Sequence, residues 1–156
     1  MTLDRRQFLT LAGAVATTAV AGCSSSGDTT TLTGDTVDVP SDAADYLSNV
    51  SNFTGDALDE TGQQAVTIEV GVQGNGGYNG FGPAAVAVST GTTVTWEWTG
   101  QGAAHNVVAE NGDYHSGTAE LGTDITFEHT FESTGVSKYY CSPHKVQGMK
   151  GIVVVE

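Results

Sequence analysis

Positive charge is what this 156-residue sequence most lacks: five Lys and Arg stand against 18 Asp and Glu. Removing residues 1–22 takes away Asp4, Arg5 and Arg6, which leaves 17 acids against 3 lysines, a net charge of −14 with neutral histidines. Such a surface repels nucleic acid and anionic headgroups, so neither is expected as a partner. It suits hydration in concentrated brine, where long-range repulsion is screened. Cysteine is scarce as well. Cys23 and Cys141 could pair in an oxidising compartment, but each has another expected task, so no disulfide is expected. No internal repeat and no P-loop, GxSxG or HExxH pattern occurs, which removes the usual signatures of nucleotide, serine-hydrolase and zinc-protease chemistry.

What is present at the N-terminus reads as an address and an anchor. Arg5-Arg6 stand directly before an apolar stretch, the mark of twin-arginine export. The stretch Phe8 to Gly22 is too short and too rich in threonine for a transmembrane helix. It ends Val20-Ala21-Gly22-Cys23, which resembles the lipobox of exported lipoproteins, in which the cysteine becomes the lipidated first residue. Residues 1–22 are therefore expected to be a signal peptide and Cys23 a lipidation site. Residues 23–40, rich in Ser, Thr and Gly, have too little apolar surface to fold and are expected to form a flexible tether. Residues 41–156 are expected to be the single working domain.

Within that domain, Ala43, Ala44, Leu47 and Val50 predict a short helix with Ser41 as its N-cap. From Ala65 the period becomes two: Val66, Ile68, Val70 and Val72 alternate with Thr67, Glu69 and Gly71. Further strands are predicted at 84–88, 93–98, 105–109, 124–132, 136–141 and 151–155, with a loop at Gly74-Asn75-Gly76-Gly77. Seven or eight short strands with glycine-rich turns predict an all-β Greek-key sandwich. Asn49 and Asn52 each open an N-glycosylation sequon, and the sequence leaves use of either open.

The chemistry is concentrated in Cys141-Ser142-Pro143-His144-Lys145-Val146-Gln147-Gly148-Met149. Thiolate, imidazole and thioether stand within nine residues, and His105 supplies a fourth donor from 36 positions earlier. Two His and one Cys in a plane with a weak axial Met is the donor set of blue copper, and thioether is a poor zinc ligand. One strand–loop–strand connection would deliver Cys141, His144 and Met149 to one point, with His105 arriving from the opposite sheet. Asn106 is expected to brace the Cys141 loop, and Pro143 removes one backbone N–H near the sulfur. His115, in a loop, and His129, in phase with Phe127 and Phe131, are expected to stay outside the site. Tyr139 is expected to point inward and Tyr140 outward.

From about residue 41 to Glu156 the sequence resembles the halocyanins, plastocyanin-like cupredoxins of extreme halophiles. The resemblance is carried by Asp59-Glu60-Thr61-Gly62, Phe81-Gly82-Pro83, Gly91-Thr92-Thr93-Val94-Thr95-Trp96, His105-Asn106-Val107-Val108, Tyr139-Tyr140-Cys141-Ser142-Pro143-His144 and Gly148-Met149-Lys150-Gly151. The four copper ligands of the family fall on His105, Cys141, His144 and Met149. The resemblance implies one type 1 copper per chain and a monomeric electron carrier, attached peripherally to the outer face of the cell membrane and working between redox-protein donors and acceptors of a respiratory chain. It also implies that His144 has its ring edge near the surface, in a flat patch to which Gly102, Ala103, Ala104, Pro143, Val146 and Gly148 could contribute.

Two other readings are weighed. A multicopper oxidase or nitrite reductase domain would need further histidine pairs, which this chain lacks, so no enzyme activity is expected. A copper storage or delivery lipoprotein would favour exposed Met- or Cys-rich binding rather than one enclosed set of four donors.

Overall fold

The computed structural model describes residues 32–156. The expected signal peptide and Cys23 lie outside the described residues. Ten strands form two facing sheets: β1 (Thr36–Asp38), β2 (Asp56–Asp59), β3 (Ala65–Gly74), β4 (Gly77–Gly82), β5 (Ala85–Val88), β6 (Thr92–Trp98), β7 (Val108–Ala109), β8 (Thr126–Phe131), β9 (Gly135–Tyr140) and β10 (Lys150–Val155). One sheet has the order β1-β2-β5-β10-β9-β7, the other β4-β3-β6-β8. Among the described residues the one α-helix, α1 (Ser41–Tyr46), follows β1.

Period-two alternation builds the core. Strand β6 pairs in parallel with β3, which sets Val66 beside Val94, Ile68 beside Trp96 and Val70 beside Trp98. All six side chains are buried, and the intervening Thr67, Glu69 and Glu97 are exposed. The run Ile152-Val153-Val154-Val155 does not alternate because both faces of β10 are covered. Val153 and Val155 face the inter-sheet core with Trp96 and Phe81. Ile152 and Val154 pack with Ala43, Leu47 and Val50 of α1 and its C-terminal flank. The helix is thus a second cover on the six-stranded sheet.

Several sequence expectations need correction. Ser41 is the first helical residue and not the N-cap; Pro40 occupies the cap and no side chain caps the helix. Thr36–Asp38, inside the expected tether, pairs with Asp56–Leu58 as an edge strand. Strands β2 and β4 were not expected either, and with β1 they bring the described residues to ten strands rather than seven or eight. Strand β4 reads Gly-Tyr-Asn-Gly-Phe-Gly, in which three glycines and an asparagine, all poor strand formers, outnumber the two aromatics. Its pairing with β3 and the close approach of the Val72 side chain to Gly80 and Gly82 hold it in place.

Candidate metal centre

The loop that follows β9 is closed by its own backbone. Alternation buries Tyr139 and Cys141 completely and turns Tyr140 outward, as expected. The Cys141 N–H donates to the Met149 carbonyl (3.0 Å), so the first and last donors of the loop are zipped together where β9 and β10 begin to pair. Pro143 sits in the 3₁₀ turn Ser142–His144, where its missing N–H costs nothing. The His144 N–H returns to the Cys141 carbonyl (3.2 Å) and the Met149 N–H to the His144 carbonyl (3.1 Å). Three donor residues are therefore held by hydrogen bonds to one another.

His105 joins them by a route other than the expected one. Its strand does not lie in the opposite sheet: β7 pairs with β9, in the same sheet. Residue 105 lies on the segment that crosses from β6 to β7 and is fixed by a two-way backbone pair with Glu120, both bonds 2.9 Å. The Trp98 indole N–H also donates to the His105 carbonyl (3.2 Å).

The donor atoms converge. His105 Nδ1 lies 3.2 Å from His144 Nδ1, and Cys141 Sγ lies 3.7 Å and 3.4 Å from these two nitrogens. Nitrogen and sulfur ligands at about 2.0–2.3 Å from one ion stand roughly 3.3–3.8 Å apart around it, so the three spacings are close to those of a shared ion. The protonation pattern agrees. His105 Nε2 faces the Gln101 carbonyl at 3.3 Å, and a carbonyl only accepts, so Nε2 carries the hydrogen and Nδ1 presents a lone pair inward. Met149 is wholly buried in the same core cluster as Cys141. Two imidazole lone pairs, one sulfur and an adjoining thioether in an enclosed space make a donor set that fits copper.

The electrostatics agree with this. Burial, and then the neighbouring His144, hold His105 below the ordinary histidine range, and burial lowers His144 too. Burial pushes the Cys141 thiol up, opposed by the backbone N–H groups of Asn106 and His144 that point toward the sulfur. All three shifts favour the uncharged form of the group.

Asn106, 4% exposed, accepts the Ser142 N–H on Oδ1 and donates through Nδ2 to the Gly117 carbonyl (3.0 Å) and Ser142 Oγ (3.3 Å). His115 is exposed and accepts the Gly117 N–H, while His129 stacks on Tyr114 (centroids 4.5 Å) in β8; neither belongs to the donor cluster. Of the residues named for the surface patch, Gly102, Ala103, Pro143 and Val146 are exposed, and Ala104 and His144 are half-buried. Gly148 is not part of it, because the Asn49 backbone covers it. Of the two sequon asparagines, Asn52 is buried with Nδ2 bound to the Phe81 carbonyl (2.7 Å), and Asn49 is exposed. Sequence reasoning missed the Gln101 carbonyl, which has no side-chain signature, and the Lys145 ion pair with Glu110 (2.6 Å), which also lays Lys145 over the Tyr140 ring (3.9 Å).

Residues 66–156 match the family model of copper binding proteins of the plastocyanin/azurin family. A halocyanin of Natronomonas pharaonis is 51% identical over 104 residues, covering 65% of this chain and 63% of that protein. A chloroplastic plastocyanin of Physcomitrium patens is 34% identical over 100 residues, covering 58% of each. A plastocyanin of Scenedesmus fuscus is 31% identical over 100 residues, covering 58% of this chain and 99% of that one. The chain thus spans less than two thirds of the first two relatives.

Proposed function

Because the chain belongs to the plastocyanin/azurin family of copper-binding proteins, we propose that it is a type 1 copper electron carrier, and that Cys23 attaches it by a lipid to the outer face of the membrane. The observation that carries this reading is the convergence of His105 Nδ1, His144 Nδ1 and Cys141 Sγ within 3.7 Å beside the buried Met149.

Bound copper supplies the one-electron Cu(II)/Cu(I) couple. The protein's part is to hold one geometry for both oxidation states. The closed backbone of the 141–149 loop and the Glu120 clamp on His105 resist rearrangement, which keeps the reorganisation accompanying transfer small. Imidazole suits both states, whereas thiolate and thioether favour the reduced one. With one thiolate the oxidised centre would be charged and the reduced one neutral, so the burial of His105, Cys141 and Met149 favours reduction. The backbone N–H groups of Asn106 and His144 near the sulfur draw off electron density and act in the same direction. His144 is the one half-buried member of the cluster and offers a ring edge to a partner across Ala103, Pro143 and Val146.

The expected partners are redox proteins that donate to and accept from this site, with a weak contact suited to turnover. No helix among the described residues is long and apolar enough to cross a membrane, and the anchoring proposed here needs none. A copper storage or delivery role is the alternative, and an enclosed site with a buried thiol supports it less than it supports tight retention.

The test is the visible and EPR spectrum of the chain after addition of Cu(II) in high salt. An intense blue band with narrow copper hyperfine splitting, absent in Cys141→Ser, together with reversible one-electron voltammetry, is expected. A pale, ordinary Cu(II) spectrum would overturn the reading, and rapid loss of copper to an acceptor protein would favour delivery. Separately, Cys23→Ser should move the protein from the membrane fraction to the medium; unchanged membrane attachment would refute the lipid anchor.

A further inference from the structure

Met149 is flanked on both sides by residues held by a segment, 46–49, that precedes the match to the family model, 66–156. The backbone carbonyl of Asn49 lies directly over Gly148. A Cβ at position 148 would collide with it and would come within 2.9 Å of Asn75 Oδ1. Gly148 has φ +105°, a conformation open to glycine, so the close approach and the turn before Met149 are one feature. On the other side Lys150 donates to Asn49 Oδ1 (2.8 Å) and to the Tyr46 carbonyl (3.3 Å), with its ammonium 5.0 Å from the Tyr46 ring centroid.

The gripping segment is itself immobilised. Leu47 and Val50 are buried against Ile152 and Val154. The Ser51 N–H donates to Asn75 Oδ1 (2.8 Å), and the Asn75 N–H donates to Ser51 Oγ, which ties the segment to the β3–β4 turn. The Tyr46 hydroxyl reaches the Tyr139 carbonyl (3.0 Å), two residues before Cys141. The clamp therefore joins a rigid wall to the residues before and after the thioether.

We propose that Asn49, together with the Tyr46 carbonyl, is a positioning residue for the axial donor: by holding Gly148 and Lys150 it sets how closely the Met149 thioether approaches the plane of His105, Cys141 and His144. This rests on the copper reading above. The axial ligand tunes a blue-copper potential, so an element on α1's C-terminal flank sets the redox poise of the centre without touching it.

The experiment uses the full chain with Asn49→Ala, Asn49→Asp, Lys150→Met and, as a control on the preceding helix, Asp42→Ala, which removes the ion pair with Lys138 (3.0 Å). In metal-free protein the amides of Met149 and Lys150 should exchange about tenfold faster in Asn49→Ala, as loss of one charge-assisted hydrogen bond predicts. In copper-loaded protein the same variant should shift the reduction potential and the intensity ratio of the thiolate charge-transfer bands. Asn49→Asp, which keeps the acceptor for Lys150, should restore both, and Lys150→Met should reproduce the shift if Asn49→Ala fails to fold. Asp42→Ala should change neither. Wild-type potential, band ratio and exchange in both Asn49→Ala and Lys150→Met would overturn the proposal, as would shifts in Asp42→Ala equal to theirs. A wild-type protein that never turns blue would instead remove the copper reading.

Discussion

Asn106 receives the Ser142 N–H on its side-chain oxygen at 2.8 Å. The residue after one imidazole donor thereby holds the residue after the thiolate donor, across a gap of 36 positions in the chain. The bond binds the β6–β7 crossing segment to the ligand loop, so the distance between His105 and Cys141 is set before any ion arrives. Asn106→Ala should lower copper affinity by about 10- to 100-fold, the usual effect of losing a group that orients a ligand. The same variant should cost roughly 1 kcal/mol, because the part-buried bond from the Ser142 N–H is lost. Competition with a Cu(I) chelator measures the first and denaturant unfolding the second.

The metal-free protein should be most stable between about pH 6.5 and 9. Burial lowers His105 and His144 below the ordinary value of 6.5, so the unfolded chain binds protons that the folded chain refuses, and stability falls as pH drops below that value. Burial raises the Cys141 thiol above the ordinary 9.0, so the folded chain keeps a proton that the unfolded chain releases, and stability falls as pH rises past it. Unfolding midpoints of the metal-free chain across pH should show both limbs, and Cys141→Ala should flatten the alkaline one.

Copper binding near pH 7.5 should release about one proton. Both imidazoles are already neutral there, and the buried thiol is the group that must ionise to become a ligand. Titration calorimetry in two buffers of different ionisation enthalpy measures the number, and a value near zero would show that the thiol is not displaced.

Val146 is 93% exposed on the ligand loop beside His144. Val146→Asp should leave stability within about 0.5 kcal/mol. It should slow electron self-exchange between oxidised and reduced protein by roughly tenfold, because two copies meeting through this patch would bring like charges together. NMR line broadening in mixed oxidation states reads the rate, and an unchanged rate would place the contact elsewhere.

Gly151 has no room for a side chain, since a Cβ there would collide with the Tyr139 ring, itself fully buried. Gly151→Ala should cost about 1–3 kcal/mol through overpacking, measured as a fall in denaturant midpoint at constant slope.

Much of this protein is local enough to be written in its sequence. The alternation in Val66–Val70 and Val94–Trp98 names strands and their buried faces, because each side chain's orientation follows from the backbone period alone. The nine-residue stretch Cys141–Met149 names three donors because one short loop must bring them together, and His105-Asn106 names the fourth and its brace. The tertiary structure decided what depends on partners far along the chain. Strand β4 exists because β3 offers a ladder to a glycine-rich segment, and β1 because Asp56–Leu58 offers one to part of the expected tether. His105 reaches the site from a crossing segment rather than from the opposite sheet, because a two-residue strand paired to β9 leaves almost no periodic trace. The Gln101 carbonyl that orients His105 and the Asn49 carbonyl that covers Gly148 are backbone groups every residue carries. The sequence by itself determined which atoms can bind the metal; only folding decided how they are aimed, because aim is set by carbonyls and close approaches that no residue identity encodes.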